Sequence, residues 1–284
     1  MKKSLILIIT VLVSAACSDY QTVTDDRFVT ISVRANASET YTRSGADETV
    51  TANRCILEIY NADGTPYDKN IRLTSSADAS GAFNFEPSLL AGRSYRLVLW
   101  AYTSDSNGGD LYYDTSRGLR DISLKNGVLT ACDADADAFY ASTEFKADKS
   151  QTITETLRRA VCRVNVATGF TPASDKKYSV TVSFANVPSG FDAMTGEVTG
   201  VGAATSTADV AVESAAVEWF AYLLAPAERT SVDFDMSVTA SGESDPQFKY
   251  SFSQIPLQRN YRVNVSIAPS AETVICRPEI LGAE

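Results

Sequence analysis

The sequence contains no histidine, and this absence removes the commonest metal ligand and the side chain best suited to proton transfer near neutral pH. C-x-x-C, G-x-S-x-G and a glycine-rich phosphate loop are also missing, so zinc, thioredoxin, serine-hydrolase and nucleotide chemistry have no support. The 35 acidic residues leave a glycosidase with a carboxylate pair as the open alternative, because such pairs are defined in space. An S-x-x-K match at residues 174–177 lies in a polar turn without companion motifs. We therefore expect no enzyme, no catalytic residue, no metal and no cofactor.

Basic charge is scarce, since 25 Lys and Arg residues face 35 Asp and Glu residues for a net charge of −10. Nucleic acids and anionic membrane surfaces are bound through Lys and Arg patches. The composition therefore argues against nucleic acid as a partner, and against electrostatic attachment to a membrane.

Apolar patterns at helical spacing are short after the N-terminus, whereas the strand-forming residues Val, Thr, Tyr, Ile and Phe are plentiful. Residues 28–33 (FVTISV) alternate as a half-buried strand does. The segment 92–101 (GRSYRLVLWA) has a partial echo at 258–268 (QRNYRVNVSIA), which suggests one such core strand in each half of the chain. A chain of 284 residues can hold two medium cores. The sequence thus predicts an all-β protein of two tandem β-sandwiches.

The N-terminus has the features of a secretory signal: a basic start, an apolar segment over 5–13 that is too short to span a bilayer, and small residues before Cys17. A cysteine after small residues resembles the bacterial lipobox, in which that thiol receives a diacylglyceryl group. Ser14 stands where the lipobox usually has Leu. The resemblance predicts a signal peptide over 1–16, lipidation of Cys17 and a lipidated tether over 17–27, with anchoring in the outer membrane at the cell surface. The alternative is a secreted protein with a chance cysteine.

Two strand patterns meet in residues 151–166 (QTITETLRRAVCRVNV), where the alternation is interrupted by two arginines without a Gly or Pro. We interpret this point as a domain junction, with one sandwich over 28–157 and a second over 158–284. The pattern L-R-R-A-x-x-R-V-x-V, preceded by D-A-F-Y at 137–140, resembles the midpoint of the fimbrillin-like surface lipoproteins. These subunits of type V pili consist of two tandem sandwiches, so the resemblance implies transthyretin-like, Greek-key domains.

The resemblance also implies a function, that of a pilus subunit or surface adhesin whose partners are other subunits or further copies, with a host or glycan ligand. In the pilins, an arginine-specific protease cuts after the first strand, and a strand from another subunit fills the resulting groove by β-augmentation. Arg43 stands in the polar segment 34–51, where that cut would fall, and the alternative for this residue is an ordinary solvated loop arginine. The alternative is a monomeric surface lipoprotein that binds glycans for a nutrient-uptake system.

The acidic stretch 132–144 (CDADADAFYASTE) nearly fits the calcium loop D-x-D-x-D-G-x₅-E, with Asp133, Asp135, Asp137 and Glu144 in ligand positions. Ala138 occupies the position where the loop requires glycine for its sharp turn. We therefore expect a solvated acidic loop and no metal site.

Four aromatic residues flank the polar loop 104–110, and they admit two interpretations: stacking on sugar rings, or packing in the sandwich core, which we favour. They are Trp100, Tyr102, Tyr112 and Tyr113.

Four cysteines besides Cys17 leave disulfides open, with three possible connectivities. They are Cys55, Cys132, Cys162 and Cys276. Cys55 and Cys162 lie within strand patterns, where a cysteine behaves as a small buried hydrophobe, and this favours free structural thiols.

Overall fold

The computed structural model describes residues 28–37, 51–167, 177–210, 218–267 and 274–280. In these segments the helices are two single 3₁₀ turns, Lys125–Gly127 and Ala134–Ala136, and neither is long or apolar enough to cross a membrane. The strands, in chain order, are β1 (Phe28–Asn36), β2 (Arg54–Asn61), β3 (Arg72–Ser76), β4 (Ala82–Phe85), β5 (Ser88–Leu90), β6 (Ser94–Tyr102), β7 (Tyr113–Asp114), β8 (Ile122–Leu124), β9 (Phe139–Lys146), β10 (Gln151–Thr156), β11 (Arg158–Arg159), β12 (Val161–Ala167), β13 (Tyr178–Asp192), β14 (Glu197–Val210), β15 (Glu218–Leu224), β16 (Thr230–Ala240), β17 (Phe248–Leu257), β18 (Tyr261–Ile267) and β19 (Val274–Ile280).

Two sheets form the first sandwich. One has the order β10-β1-β4, with β5 also paired to β1, and the other has the order β11-β9-β6-β2-β3. Alternate residues of each strand point inward because successive side chains of a strand face opposite sides. Ile31, Val33 and Phe83 meet Leu57 and Leu99 in the core between the two sheets.

Two further sheets form the second sandwich, with the orders β15-β12-β18-β19 and β17-β16-β13-β8-β7, and β14 pairs with β13. Val164 and Trp219 of the first sheet pack against Val182, Phe234 and Phe252 of the second. The predicted all-β fold with tandem sandwiches is confirmed. Each sandwich also holds a parallel pair that includes its first strand, β1 with β10 and β12 with β18.

A third hydrophobic core joins the two sandwiches. It combines residues on the outer face of sheet β11-β9-β6-β2-β3, among them Trp100 and Tyr140, with Phe191, Met194 and Tyr222 of the second sandwich. The short strand β8, from the first half of the sequence, pairs with β13 at Phe191↔Ile122. Continuous packing therefore connects the halves on both sides of the predicted boundary at 157/158, and that boundary stays a prediction.

At the junction, successive side chains are buried in three different cores. Leu157 is buried in the first core, Val161 in the third and Cys162 in the second. Arg159, between them, is fully buried rather than solvated. The alternation of apolar residues breaks at this point because the chain moves from one core to the next within six residues.

Candidate functional site

The first strand, β1, lies in the middle of its sheet. It pairs in parallel with β10 over Ile31–Asn36, and antiparallel with β4 and β5 on its other side. Side-chain contacts hold its ends, because the Thr30 N–H donates to Ser150 Oγ at 3.2 Å and Arg34 Nη2 donates to Ser80 Oγ at 2.9 Å. Removing β1 would therefore open hydrogen-bonding edges on two sides at once.

The inward side chains of β1 are Ile31, Val33 and Ala35, and all three are completely or almost completely buried. Burial of such side chains contributes about 1.5–3 kcal/mol each for Val or Ile, and less for Ala. A molecule without β1 would thus expose an apolar slot that only another strand of alternating pattern could fill. We call this space the β1 slot.

A cavity of about 230 Å³ lies between the end of β2, the β2–β3 connection and the loop after β7, and we call it the Glu58 cavity. Glu58 forms its floor: it forms an ion pair with Arg72, accepts a hydrogen bond from the Tyr60 hydroxyl, and accepts another from the Leu119 N–H at 2.9 Å. Burial, and then the hydrogen bond to Glu58, raise the pKa of Tyr60 above its ordinary value. The floor is thus a fixed, charge-paired network.

The rim of the Glu58 cavity is formed by polar side chains on turns, those of Asn70, Ser116 and Arg117. Two backbone bonds hold these turns, from Asn70 N to Tyr67 O at 2.7 Å and from Gly118 N to Thr115 O at 3.1 Å. Gly118 has φ +104° and passes close to Glu58 Oε2, a conformation that glycine adopts most readily. The rim is therefore as well defined as the floor.

Three residues singled out from the sequence, Cys17, Arg43 and Ser174, lie outside the described residues. Lipidation of Cys17 and cleavage at Arg43 therefore stay predictions.

The acidic stretch does not converge on one point. Asp133 accepts from Tyr112 Oη at 2.6 Å, Asp137 pairs with Arg159, and Glu144 pairs with Arg96 at 3.1 Å. No cluster of three potential metal-ligating side chains is found in the part of the chain that the structure describes.

Three of the four aromatic residues beside the polar loop belong to the core, as the favoured interpretation predicts, and the fourth, Tyr112, is partly buried and packs against it. Trp100, Tyr102 and Tyr113 are buried. Trp100 donates from Nε1 to Asp110 Oδ2 at 3.0 Å, and its ring meets Tyr113 edge to face. None of these three side chains offers a free face for a sugar ring.

Cys55 and Cys162 are free and buried, as expected, and Cys132 is free and exposed. Burial raises the pKa of Cys162 to about 12 and also raises that of Cys55. Both buried thiols are therefore protonated and inert.

The sequence alone does not predict the Glu58 cavity. Its one local signal is a carboxylate within an otherwise apolar strand, C-I-L-E-I-Y over residues 55–60. A buried charge at such a position requires a partner. That partner, Arg72, comes from the next strand, and no spacing rule indicates it.

Comparison with known proteins identifies a family and a fold. A profile described as a family of unknown function, DUF6562, matches residues 21–268. No curated protein matches the sequence significantly.

Solved structures from Bacteroides and Porphyromonas species resemble this chain over most of its length. A proposed cell adhesion protein from Bacteroides ovatus ATCC 8483 superposes with a TM-score of 0.51 at 14% identity, covering 90% of this chain and 99% of that one. A proposed polysaccharide-binding protein from Bacteroides thetaiotaomicron VPI-5482 gives a TM-score of 0.52 at 12% identity, covering 89% and 98%. A tip fimbrial protein from Porphyromonas gingivalis aligns less well, with a TM-score of 0.49 at 11% identity over 89% and 99% of the chains. For the two Bacteroides proteins, whose TM-scores exceed 0.5, the similarity at these identities shows a shared fold.

Proposed function

We propose that this chain, which belongs to the DUF6562 family of unknown function, is a cell-surface adhesin that assembles as a fimbrial subunit of the fimbrillin-like type. A solved structure of the same fold is described as a proposed cell adhesion protein. The role is structural and adhesive rather than enzymatic, in keeping with a sequence that has no histidine.

The observation that carries the proposal is the central position of β1, between β10 on one side and β4 and β5 on the other. Among the described residues β1 is the first strand, so this central strand can be removed without cutting the rest of the sandwich. The β1 slot would then accept a strand from a neighbouring subunit by β-augmentation. Filling it would recover on the order of 5 kcal/mol from Ile31, Val33 and Ala35 alone, before ordering costs.

Cleavage at Arg43 would be the switch between an individually anchored subunit and an assembling one. Arg43 follows β1 in the sequence and precedes β2, so a cut there detaches β1 together with everything N-terminal to it. If Cys17 carries the lipid, the cut subunit stays at the outer membrane only through its partners.

The test is to express the native chain and an Arg43→Ala variant beside an arginine-specific protease. We expect SDS-resistant oligomers from the native chain and none from the variant. Arg229→Ala removes an exposed arginine from a loop of the second sandwich and should assemble as the native chain does. Equal polymerisation of the native chain and Arg43→Ala, or a native chain that is never cut between β1 and β2, would refute strand exchange.

Anchoring is tested separately with Cys17→Ser. This variant should leave the membrane fraction or accumulate with an uncleaved signal, because acyl chains contribute about 0.8 kcal/mol for each buried CH₂. A correctly cleaved variant that remains in the outer membrane would refute lipidation at Cys17.

The second candidate is a monomeric glycan-binding lipoprotein that serves nutrient uptake, and the description of one structural neighbour as a proposed polysaccharide-binding protein favours it. Retention of the uncut, monomeric chain on a polysaccharide gel, with no ladder of oligomers after proteolysis, would support this candidate over the first.

A further inference from the structure

The size of the Glu58 cavity limits its ligand. Pockets for drug-sized ligands have volumes of about 300–1,000 Å³, and this one has about 230 Å³. A single monosaccharide unit or a molecule of similar size fits that space, whereas a folded peptide element does not.

The charges of the cavity favour an anionic group at the rim. Glu58 and Arg72 neutralise each other on the floor. Arg117, at the rim, pairs with Asp121 at 3.2 Å, and both side chains are more than half exposed, at 59% and 55%. An exposed ion pair of this kind contributes about 0–1 kcal/mol, so a ligand carboxylate can replace Asp121 at little cost. A guanidinium binds a carboxylate through two parallel hydrogen bonds.

The other groups suit a ligand with several hydroxyls. Asn70 offers both an amide donor and an acceptor, and Ser116 offers a hydroxyl that does either. Pro66 and Ile71 supply an apolar wall for C–H groups. Because turns hold the rim and an ion pair holds the floor, the cavity needs little reordering to bind, which favours affinity.

From these features we propose that the Glu58 cavity binds a carboxylate-bearing sugar unit, such as a uronic acid at the end of a glycan, with the carboxylate on Arg117. The inference rests on the proposed function as a surface adhesin and names the class of ligand that it would recognise.

Three small probe molecules distinguish binding through the carboxylate from binding through the hydroxyls. Glucuronate carries a carboxylate and hydroxyls, glucose carries hydroxyls alone, and acetate carries a carboxylate alone. Each is titrated against the full-length chain by saturation-transfer NMR. We expect glucuronate to bind at least about tenfold more tightly than glucose or acetate, a ratio equivalent to 1.4 kcal/mol. Equal affinities, or no glucuronate binding at millimolar concentration, would overturn the proposal.

Two variants locate the site. Arg117→Gln should weaken glucuronate binding about tenfold and leave glucose binding unchanged, whereas Ser116→Trp should block both by filling the cavity. Arg229→Gln removes an equally charged exposed residue from the other sandwich and should change neither affinity. Glucuronate binding that survives both Arg117→Gln and Ser116→Trp, in chains with an unchanged circular dichroism spectrum, would also overturn the proposal.

Failure here is distinct from failure of the proposed function. A chain that assembles in an Arg43-dependent way but shows no preference for glucuronate refutes the ligand alone. A chain that prefers glucuronate through Arg117 but never assembles refutes strand exchange alone.

Discussion

Arg159 Nη2 lies 2.5 Å from Asp137 Oδ2, in an ion pair whose side chains are only 1% and 5% exposed. Arg159 also donates through Nε to both carboxylate oxygens of Asp137, and through Nη1 to Asn260 Oδ1 at 3.3 Å. The pair thus connects the segment before β9, the short strand β11 and a turn of the second sandwich. Its position at the junction makes it a structural anchor.

Asp137→Asn should therefore be strongly destabilising. Removing one partner of a buried pair leaves the other charge uncompensated, which costs about 3–5 kcal/mol. The free energy of unfolding from urea titration measures this loss. The control is Asp148→Asn, since the Lys146–Asp148 pair is exposed and such pairs contribute about 0–1 kcal/mol. Equal losses in the two variants would contradict the anchoring role.

Asp110 makes stability depend on pH. Burial raises the pKa of this carboxyl to about 6, although Trp100 and two backbone N–H groups donate to it. The folded state then binds a proton that the unfolded state releases near pH 4. Below about pH 4, Asp110 therefore does not lower the free energy of unfolding. As pH rises from 4 to about 6 it lowers that free energy increasingly, by on the order of 3 kcal/mol at the end of this range.

The measurement is the difference in unfolding free energy between the native chain and Asp110→Asn from pH 4 to pH 7. We expect the native chain to lose stability relative to the variant from pH 4 to about pH 6, and the difference to be constant from there to pH 7. Asp105→Asn is the control, because hydrogen bonds from Gly109 and Asn107 lower the pKa of Asp105. Its contribution is lost only as pH falls below about 4, so the difference for Asp105→Asn should stay nearly constant from pH 4 to pH 7. A growing difference like that of Asp110→Asn would contradict the assignment.

Calcium should bind no more tightly than about 1 mM, the weak end of the range for extracellular modules. The carboxylates of the acidic stretch already hold separate partners, Asp137 on Arg159 and Glu144 on Arg96. Isothermal titration tests this expectation, and Ala138→Gly, which supplies the missing loop glycine, should not create a site. Micromolar binding that disappears in Asp135→Ala would show the expectation to be wrong.

The strand content of the fold follows from the sequence because alternation and β-branched residues act locally. The pattern at 28–33 predicts β1, which extends to Asn36, and that at 261–267 predicts β18. The glycine- and alanine-rich residues 196–214 suggest only a loop and an edge strand, whereas β14 occupies 14 residues there. Its small residues carry little hydrophobic signal, and its pairing with β13 fixes the strand. β19 contains a proline, which weakens a strand pattern, and its pairing with β18 fixes it.

Local sequence patterns do not predict which residues form the third core. Residues 56, 98 and 100 are apolar, as are their inward neighbours, so their strands have two buried faces. Such a run indicates burial on both sides. It does not indicate that the second covering layer comes from Phe191 and Tyr222, which lie about a hundred positions further along the chain. The Glu58 cavity depends on a long-range encounter of the same kind.

The third core should make the two sandwiches unfold together. The Phe191 ring lies 4.9 Å from that of Tyr140 and 5.9 Å from that of Trp100, centroid to centroid, and all three are buried. Phe191→Ala should cost about 3–5 kcal/mol as a large-to-small core substitution. Because the lost contacts join the sandwiches, scanning calorimetry should show one transition for the native chain and two for the variant. Val201→Ala, at a side chain that is 71% exposed, should keep one transition with an unchanged midpoint.

A double-mutant cycle of Phe191→Leu and Tyr140→Leu should give a coupling energy of about 0.5–1.5 kcal/mol for the aromatic pair. Two transitions in the native chain, or no coupling between the rings, would show that the sandwiches fold independently.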